Sequence, residues 1–187
     1  MLKAEYIVAQ GGITIPYPPV SDEIRRNNGF VDLRGHPDLA GQISEGSESA
    51  ALKDLLVRLS DSASSLFTLG CDLGEHQEEE RRIIRQFAGG YVQLMASNYM
   101  TAKPQNYLEL ARAVEQTLRK SSTRLSWEFR FELTPVSFQL DSVEGLIPSL
   151  CIWFVAEAST RLAASKSREF LIEELCKVLI ARTPFTA

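Results

Sequence analysis

One short stretch of this chain brings together side chains that can do nucleophilic chemistry, because Cys71, Asp72 and His76 lie within six consecutive residues. A cysteine acts as a nucleophile when a base lies within hydrogen-bond reach, and His76 closely follows the strand predicted to carry Cys71. Each residue also has a structural explanation, since Cys71 continues the inward positions of that strand and Asp72 suits the turn after it. We favour the structural explanation and keep the three residues as catalytic candidates for the alternative that the protein is a small enzyme.

Other chemical motifs are absent from the sequence. His36 and His76 have no metal-ligand spacing, and the three cysteines form no C-x-x-C pair, which argues against a zinc site and a disulfide framework. Neither glycine pair, at 11–12 and 89–90, fits a phosphate-binding pattern, and no serine lies in a G-x-S-x-G turn. The sequence therefore predicts no metal and no cofactor, and it disfavours an enzyme.

Charge is distributed unevenly along the chain. The net charge is −4, but residues 21–80 carry 13 acids and five bases and therefore −8. An acidic half disfavours nucleic acid and would speed encounter with a basic protein partner. The bases that a phosphate backbone could contact are Arg112, Arg119, Lys120, Arg124 and Arg130. They fall on two different predicted elements, so nucleic-acid binding is kept only as a further alternative.

The segment from residue 18 to residue 47 is predicted to be a long loop, because prolines and glycine-containing turns interrupt any regular element. Such a loop is either partly mobile or a working surface. Proline-stiffened loops lose less entropy on binding, which favours recognition by the nearby aromatics, although the same rings could equally well pin the loop to the core. The predicted binding residues are Tyr17, Phe30, Asp32, Asp38 and Glu45.

The clearest structural pattern lies between Leu125 and Leu133, where apolar residues occupy every odd position and polar residues every even one. This period of two predicts a strand of an antiparallel sheet with one buried and one wet face. At Pro135 the apolar positions change from odd to even, which predicts either a β-bulge or a change of partner strand. The next apolar run, residues 150–156, predicts a central strand paired antiparallel to the first.

The remaining elements follow from periodicity and turn residues. They are a β-hairpin over 5–17 around Gly11-Gly12, an amphipathic helix over 48–60, a buried strand starting at Leu66, a helix over 104–120 and a last helix before Pro184. Residues 75–99 are ambiguous. Apolar side chains recur there at helical spacing and favour one long helix, whereas Gly89-Gly90 favour a helix followed by a strand over 91–96. We favour the single helix.

These elements predict an α+β fold, with a mixed or antiparallel sheet of four to six strands and helices mainly on one face. The 187 residues fit a single globular domain over 1–187. Without a membrane span or signal peptide, and with few cysteines, we expect a cytoplasmic protein. The favoured function is a non-catalytic protein-binding module, an adaptor, inhibitor or immunity-type protein, with an acidic surface for a partner. A homo-oligomer is left open.

Overall fold

The computed structural model describes residues 2–21, 26–121, 125–141, 143, 145–181 and 185. Its strands are β1 (Leu2–Val8), β2 (Ile13–Ile15), β3 (Val20–Ser21), β4 (Arg26–Asn27), β5 (Leu66–Glu80), β6 (Ile83–Ala96), β7 (Ser126–Phe138) and β8 (Leu146–Ala158). Its helices are a 3-10 helix (Pro37–Gln42), α1 (Ser44–Glu48), α2 (Ala50–Leu59), α3 (Pro104–Ser121) and α4 (Arg161–Ala181). The predicted α+β class is confirmed.

The main sheet is mixed and runs in the order β1-β7-β8-β6-β5, with β2 following β1 along the same edge of β7. β7 pairs antiparallel with β8, as predicted, and β8 lies between β7 and β6 as the predicted central strand. β1 and β2 run parallel to β7. Within the residues described, no helix is long and apolar enough to cross a membrane.

The alternating residues of β7 explain how the main core is built. Trp127, Phe129 and Phe131 are buried on the face that α2, α3 and α4 cover, together with apolar side chains from those helices. The intervening residues Glu128 and Arg130 lie on the opposite face and are half-buried. The prediction of a strand with one buried face is confirmed for this half of β7.

The phase change at Pro135 marks a second core on the other face of the same sheet. Val136 and Phe138 pack there with Ile15, Phe67 and Met95. The pairing of β7 with β8 continues past Pro135 without a register shift, so the β-bulge prediction is wrong. The alternative, a change of partner strand, is confirmed, because β7 pairs with β1 up to Leu133 and with β2 from Val136.

The predicted hairpin over residues 5–17 is wrong, because β1 and β2 both pair with β7 and not with each other. The glycine pair joins two segments that lie one after the other along β7. A Cβ added to Gly12 would lie 2.8 Å from the carbonyl oxygen of Pro135, so glycine is needed there for close passage rather than for a tight turn.

The favoured single helix over residues 75–99 is also wrong. Of the alternative, the strand over 91–96 is confirmed, since it lies within β6, and the helix before it is wrong. β5 and β6 form one long antiparallel hairpin in this region. The apparent helical period arose because the end of β6 is buried on both faces while Ile83 and Ile84, which fitted the same stripe, are 60% and 51% exposed. A pattern read from apolar type alone could not separate buried from exposed positions.

The described residues of the predicted loop over 18–47 form short elements: the β3–β4 ladder, the 3-10 helix and α1. It leads into α2, whose first turn is capped from two sides. The Ser49 hydroxyl accepts a hydrogen bond from the Leu52 amide at 3.0 Å, and Glu169 of α4 accepts bonds from the Ser49 hydroxyl and the Ala51 amide. These contacts satisfy amides that a helix start leaves unpaired.

Replacing Ser49 with alanine should lower the free energy of unfolding by about 1 kcal/mol, because the side-chain cap is lost and the Glu169 carboxylate loses a donor. A urea unfolding curve measures the change. Ser47→Ala is the matched control, since the Ser47 hydroxyl is exposed and donates to a carbonyl within α1. Equal midpoints for the two variants would contradict the capping role.

Candidate functional site

The predicted catalytic residues do not come together. Cys71, Asp72 and His76 all lie on β5, whose pairing with β6 is regular from Gly70 to Glu80. Cys71 and His76 are an odd number of residues apart and therefore point to opposite faces, and the strand between them spans about 16 Å. His76 stacks on Phe87 with a centroid distance of 4.7 Å. No Cys–His pair forms.

Two of these residues instead meet two of the predicted binding residues at one cavity. This edge cavity, of about 600 Å³, lies between β5 and the segment from Ile13 to Glu45. Tyr17, Glu45, Cys71 and Asp72 all line it. Tyr91, the cross-strand partner of Asp72, completes one wall. The volume falls in the usual range for small-molecule sites.

The edge cavity holds acidic groups in a partly desolvated setting. Burial, followed by the charges of Glu45 and Asp72, raises the pKa of the Cys71 thiol to about 12. Burial is also the largest cause of the raised pKa of Asp72, with Glu45 and Glu48 adding to it. The thiol therefore stays protonated at neutral pH, which is opposite to the requirement for a nucleophilic cysteine.

The other predicted binding residues have structural partners or lie elsewhere. Phe30 packs edge-on against Tyr17 at 6.0 Å, and both rings pack on the second core, as the pinning explanation predicts. Asp32 forms a bidentate ion pair with Arg34, with Nη2–Oδ2 at 2.8 Å. Asp38 is exposed in the first turn of the 3-10 helix and does not line the edge cavity.

A second feature, which sequence reasoning found only in part, is the open face of the sheet. We give this name to the cross-strand row of Glu5, Arg130, Trp153, Tyr91 and Asp72 on the face opposite the helices. The Trp153 ring lies 4.7 Å from that of Tyr91 and 4.8 Å from the Arg130 guanidinium. Sequence alternation correctly placed Arg130 on a wet face, but it could not place two aromatic rings beside it.

The third feature is the far end of the β5–β6 hairpin. β8 pairs with β6 only from Gln86 onwards, so residues 77–85 form a two-stranded arm that extends past the sheet. Its turn residues Arg81 and Arg82 have φ of 52° and 70°, a conformation that non-glycine residues adopt at a cost. All residues of the arm are exposed. The three consecutive glutamates at 78–80 lie on this arm.

The basic cluster considered for nucleic acid is divided by the fold. Arg119, on the helix side, lies over Trp127 and pairs with Glu115. Arg130 lies on the open face, over Trp153. Arg124 lies outside the described residues. Arg112 and Lys120 lie on the same helix as Arg119, so among the described residues the cluster is divided between the helix side and the open face of the sheet.

The fold and these surfaces define the chain as an α+β protein with a mixed open sheet, helices on one face and a protruding hairpin arm. Comparison with protein-family models, with curated proteins and with solved structures finds no match. In the part of the chain that the structure describes, no three His, Cys, Asp or Glu residues are grouped so that they could hold a metal ion.

Proposed function

We propose that this chain is a non-catalytic, cytoplasmic protein-binding module, of the adaptor, inhibitor or immunity type, that docks a basic partner protein on the arm. The observation that supports this most is the combination of Glu78, Glu79 and Glu80 with exposed Ile83 and Ile84 on one two-stranded projection. Isolated hairpins are marginally stable in water and gain little from exposed isoleucines. A partner that covers them would gain the burial that the free chain lacks.

The charge pattern indicates the chemistry of the partner. The outer edge of β5 has no strand partner among the described residues, and the main-chain groups of such an edge can pair with another chain. The arm carries three glutamates and three arginines, but all three glutamates lie on β5 and Arg85 of β6 is paired with Glu157. The outer edge of β5 would therefore repel an acidic segment and attract a basic one. Glu75, nearer the sheet, is already paired with Arg161 and Arg168 of α4, and Glu78 lies 3.6 Å from His76. Among the described acids of this strand, Glu79 and Glu80 are the ones of the arm that face no such charge. The arm therefore takes the place of Asp32 as the proposed acidic contact, because Asp32 is already paired with Arg34.

Replacing Ile83 and Ile84 together with serine should weaken capture of such a partner about tenfold, because both apolar anchors are lost. The tagged protein is used to capture partners from its native lysate, and the captured protein is quantified. Met100→Ser with Leu162→Ser is the matched control, since Met100 and Leu162 are 71% and 67% exposed elsewhere. The control variant should capture as much of the partner protein as the original chain does.

The same capture is repeated with Glu79→Gln and Glu80→Gln together, at low and moderate salt. We expect this variant to capture less partner than the original chain at low salt. The difference should be smaller at moderate salt, because salt screens the charges. Glu109→Gln with Glu173→Gln removes equal charge from α3 and α4 and should have no effect. An empty capture, or a partner held equally by every variant, would overturn the proposal.

A further inference from the structure

The edge cavity has aromatic walls and a floor without a side chain. A Cβ added to Gly70 would lie 2.9 Å from the Tyr17 hydroxyl oxygen and 3.9 Å from that of Tyr91. Both phenols therefore converge over this glycine. Two aromatic side chains thus border the same space, and an aromatic ring attracts a cation that lies against its face.

Among the described residues that line the edge cavity, the charged groups are Glu45 and Asp72. Glu45 is half-buried and Asp72 is exposed. Among the described residues that line the cavity there is no lysine, arginine or histidine. Burial, Glu45 and Glu48 raise the pKa of Asp72, and the hydrogen bond from the Leu73 amide opposes them. Glu45 is half-buried and Asp72 is exposed but partly desolvated, so the two carboxylates repel each other and a bound cation would relieve that repulsion.

An unused polar group lies in the same cavity. Thr68, which is 6% exposed, lines it, and the Thr68 hydroxyl has no hydrogen-bond partner among the residues that the structure describes. Buried hydroxyls without a partner are rare in proteins and often indicate a position that a ligand or water fills. This observation is independent of the carboxylates and the rings.

We propose that the edge cavity binds a small organic cation, an amine whose ammonium group lies between Glu45 and Asp72 and whose hydrocarbon part contacts the rings of Tyr17 and Tyr91. The site is separate from the arm, so it does not depend on the proposed partner. A cavity of about 600 Å³ is large for a bare metal ion, and the described residues offer no third acidic or imidazole ligand. An anion would meet two carboxylates.

The probe is n-butylammonium chloride, titrated against the full chain while backbone amide resonances are followed by NMR. We expect saturable shifts at Gly70, Asp72 and Tyr91. Matched titrations with 1-butanol and with sodium butyrate keep the hydrocarbon and change the head group. Both should bind at least tenfold more weakly than the ammonium, because neither has the positive charge that the carboxylates and ring faces favour.

Variants of the edge cavity test the charge of its carboxylates and the shape of its floor separately. Glu45→Gln and Asp72→Asn should each weaken butylammonium binding about tenfold, whereas Asp38→Asn, a nearby acid that does not line the cavity, should leave it unchanged. Gly70→Val should abolish binding by filling the floor, and an unfolding curve confirms that this variant folds. Binding should also weaken as pH falls and Asp72 becomes protonated, beginning above the usual range for aspartate.

Three results would overturn this proposal. They are no saturable binding of butylammonium, binding of butanol as tight as that of the amine, or binding that neither carboxylate variant weakens. None of them bears on the arm, since partner capture is measured with variants that leave the edge cavity intact. Conversely, an empty capture would leave an observed amine site standing.

Discussion

Replacing Gly90 with alanine should lower the free energy of unfolding by about 3 kcal/mol, the largest effect we expect from a single added methyl group. A Cβ at Gly90 would overlap the carbonyl oxygen of Asp72 and lie 2.9 Å from Leu73 Cδ2. The backbone of β5 cannot move away without breaking its pairing with β6. Urea unfolding measures the change as a lower midpoint.

Gly74→Ala is the control for the Gly90 variant. Both glycines lie in the β5–β6 hairpin, but a Cβ at Gly74 would meet nothing within 4 Å. That variant should unfold close to the original chain. If both variants shift the midpoint equally, the cost comes from general strand propensity and the close approach of Asp72 to Gly90 plays no part. Because Asp72 also lines the edge cavity, Gly90→Ala should in addition weaken butylammonium binding.

The glycine pair shows what the sequence could and could not reveal. At Gly89-Gly90 other backbones come close, since a Cβ added at these positions would overlap the backbones of β8 and β5. The element that carries them was predicted wrongly, because apolar residues at 83, 84, 87 and 91 fall on a helical stripe by coincidence. Three consecutive glutamates also favour a helix start over a strand. Pairing with β5 along the whole of β6, and with β8 from Gln86 onwards, decides for a strand.

The strand Leu125–Leu133 was predicted well because its pattern is local. Successive side chains lie alternately on the core face and the wet face of the sheet, so the pattern of this strand can be explained without knowing its neighbours. The edge cavity is the opposite case. Its walls come from residues 17, 45, 72 and 91, which become neighbours only when the chain from Ile13 to Glu45 lies along β5. No spacing rule in the sequence encodes such proximity.

Arg34→Ala should lower the free energy of unfolding by about 2 kcal/mol, even with a discount for solvent screening of partly exposed pairs. The Arg34 guanidinium bonds Asp32 and Asp141, with Nη1–Oδ2 of Asp141 at 2.8 Å. Its carbon also lies 5.1 Å and 5.3 Å from the ring centres of Phe67 and Phe138. The side chain thus ties the segment before α1 to the second core. Arg58→Ala, which removes an exposed pair on α2, should change stability little.

At acid pH, the difference in the free energy of unfolding between the original chain and the Arg34→Ala variant should become smaller. Hydrogen bonds from Arg34, then from Tyr99, lower the pKa of Asp141 below its usual value of 3.8. A carboxyl with a lowered pKa stabilises the fold above its unfolded pKa and loses that contribution as pH falls through the folded one. Unfolding curves at neutral pH and below pH about 4 should therefore converge as Asp141 and Asp32 become protonated. Arg34→Met, which keeps most of the hydrocarbon stem, should remove this acid-dependent part and retain some of the packing. If the difference in the free energy of unfolding between the original chain and Arg34→Ala stays constant with pH, the whole effect comes from contact with Phe67 and Phe138.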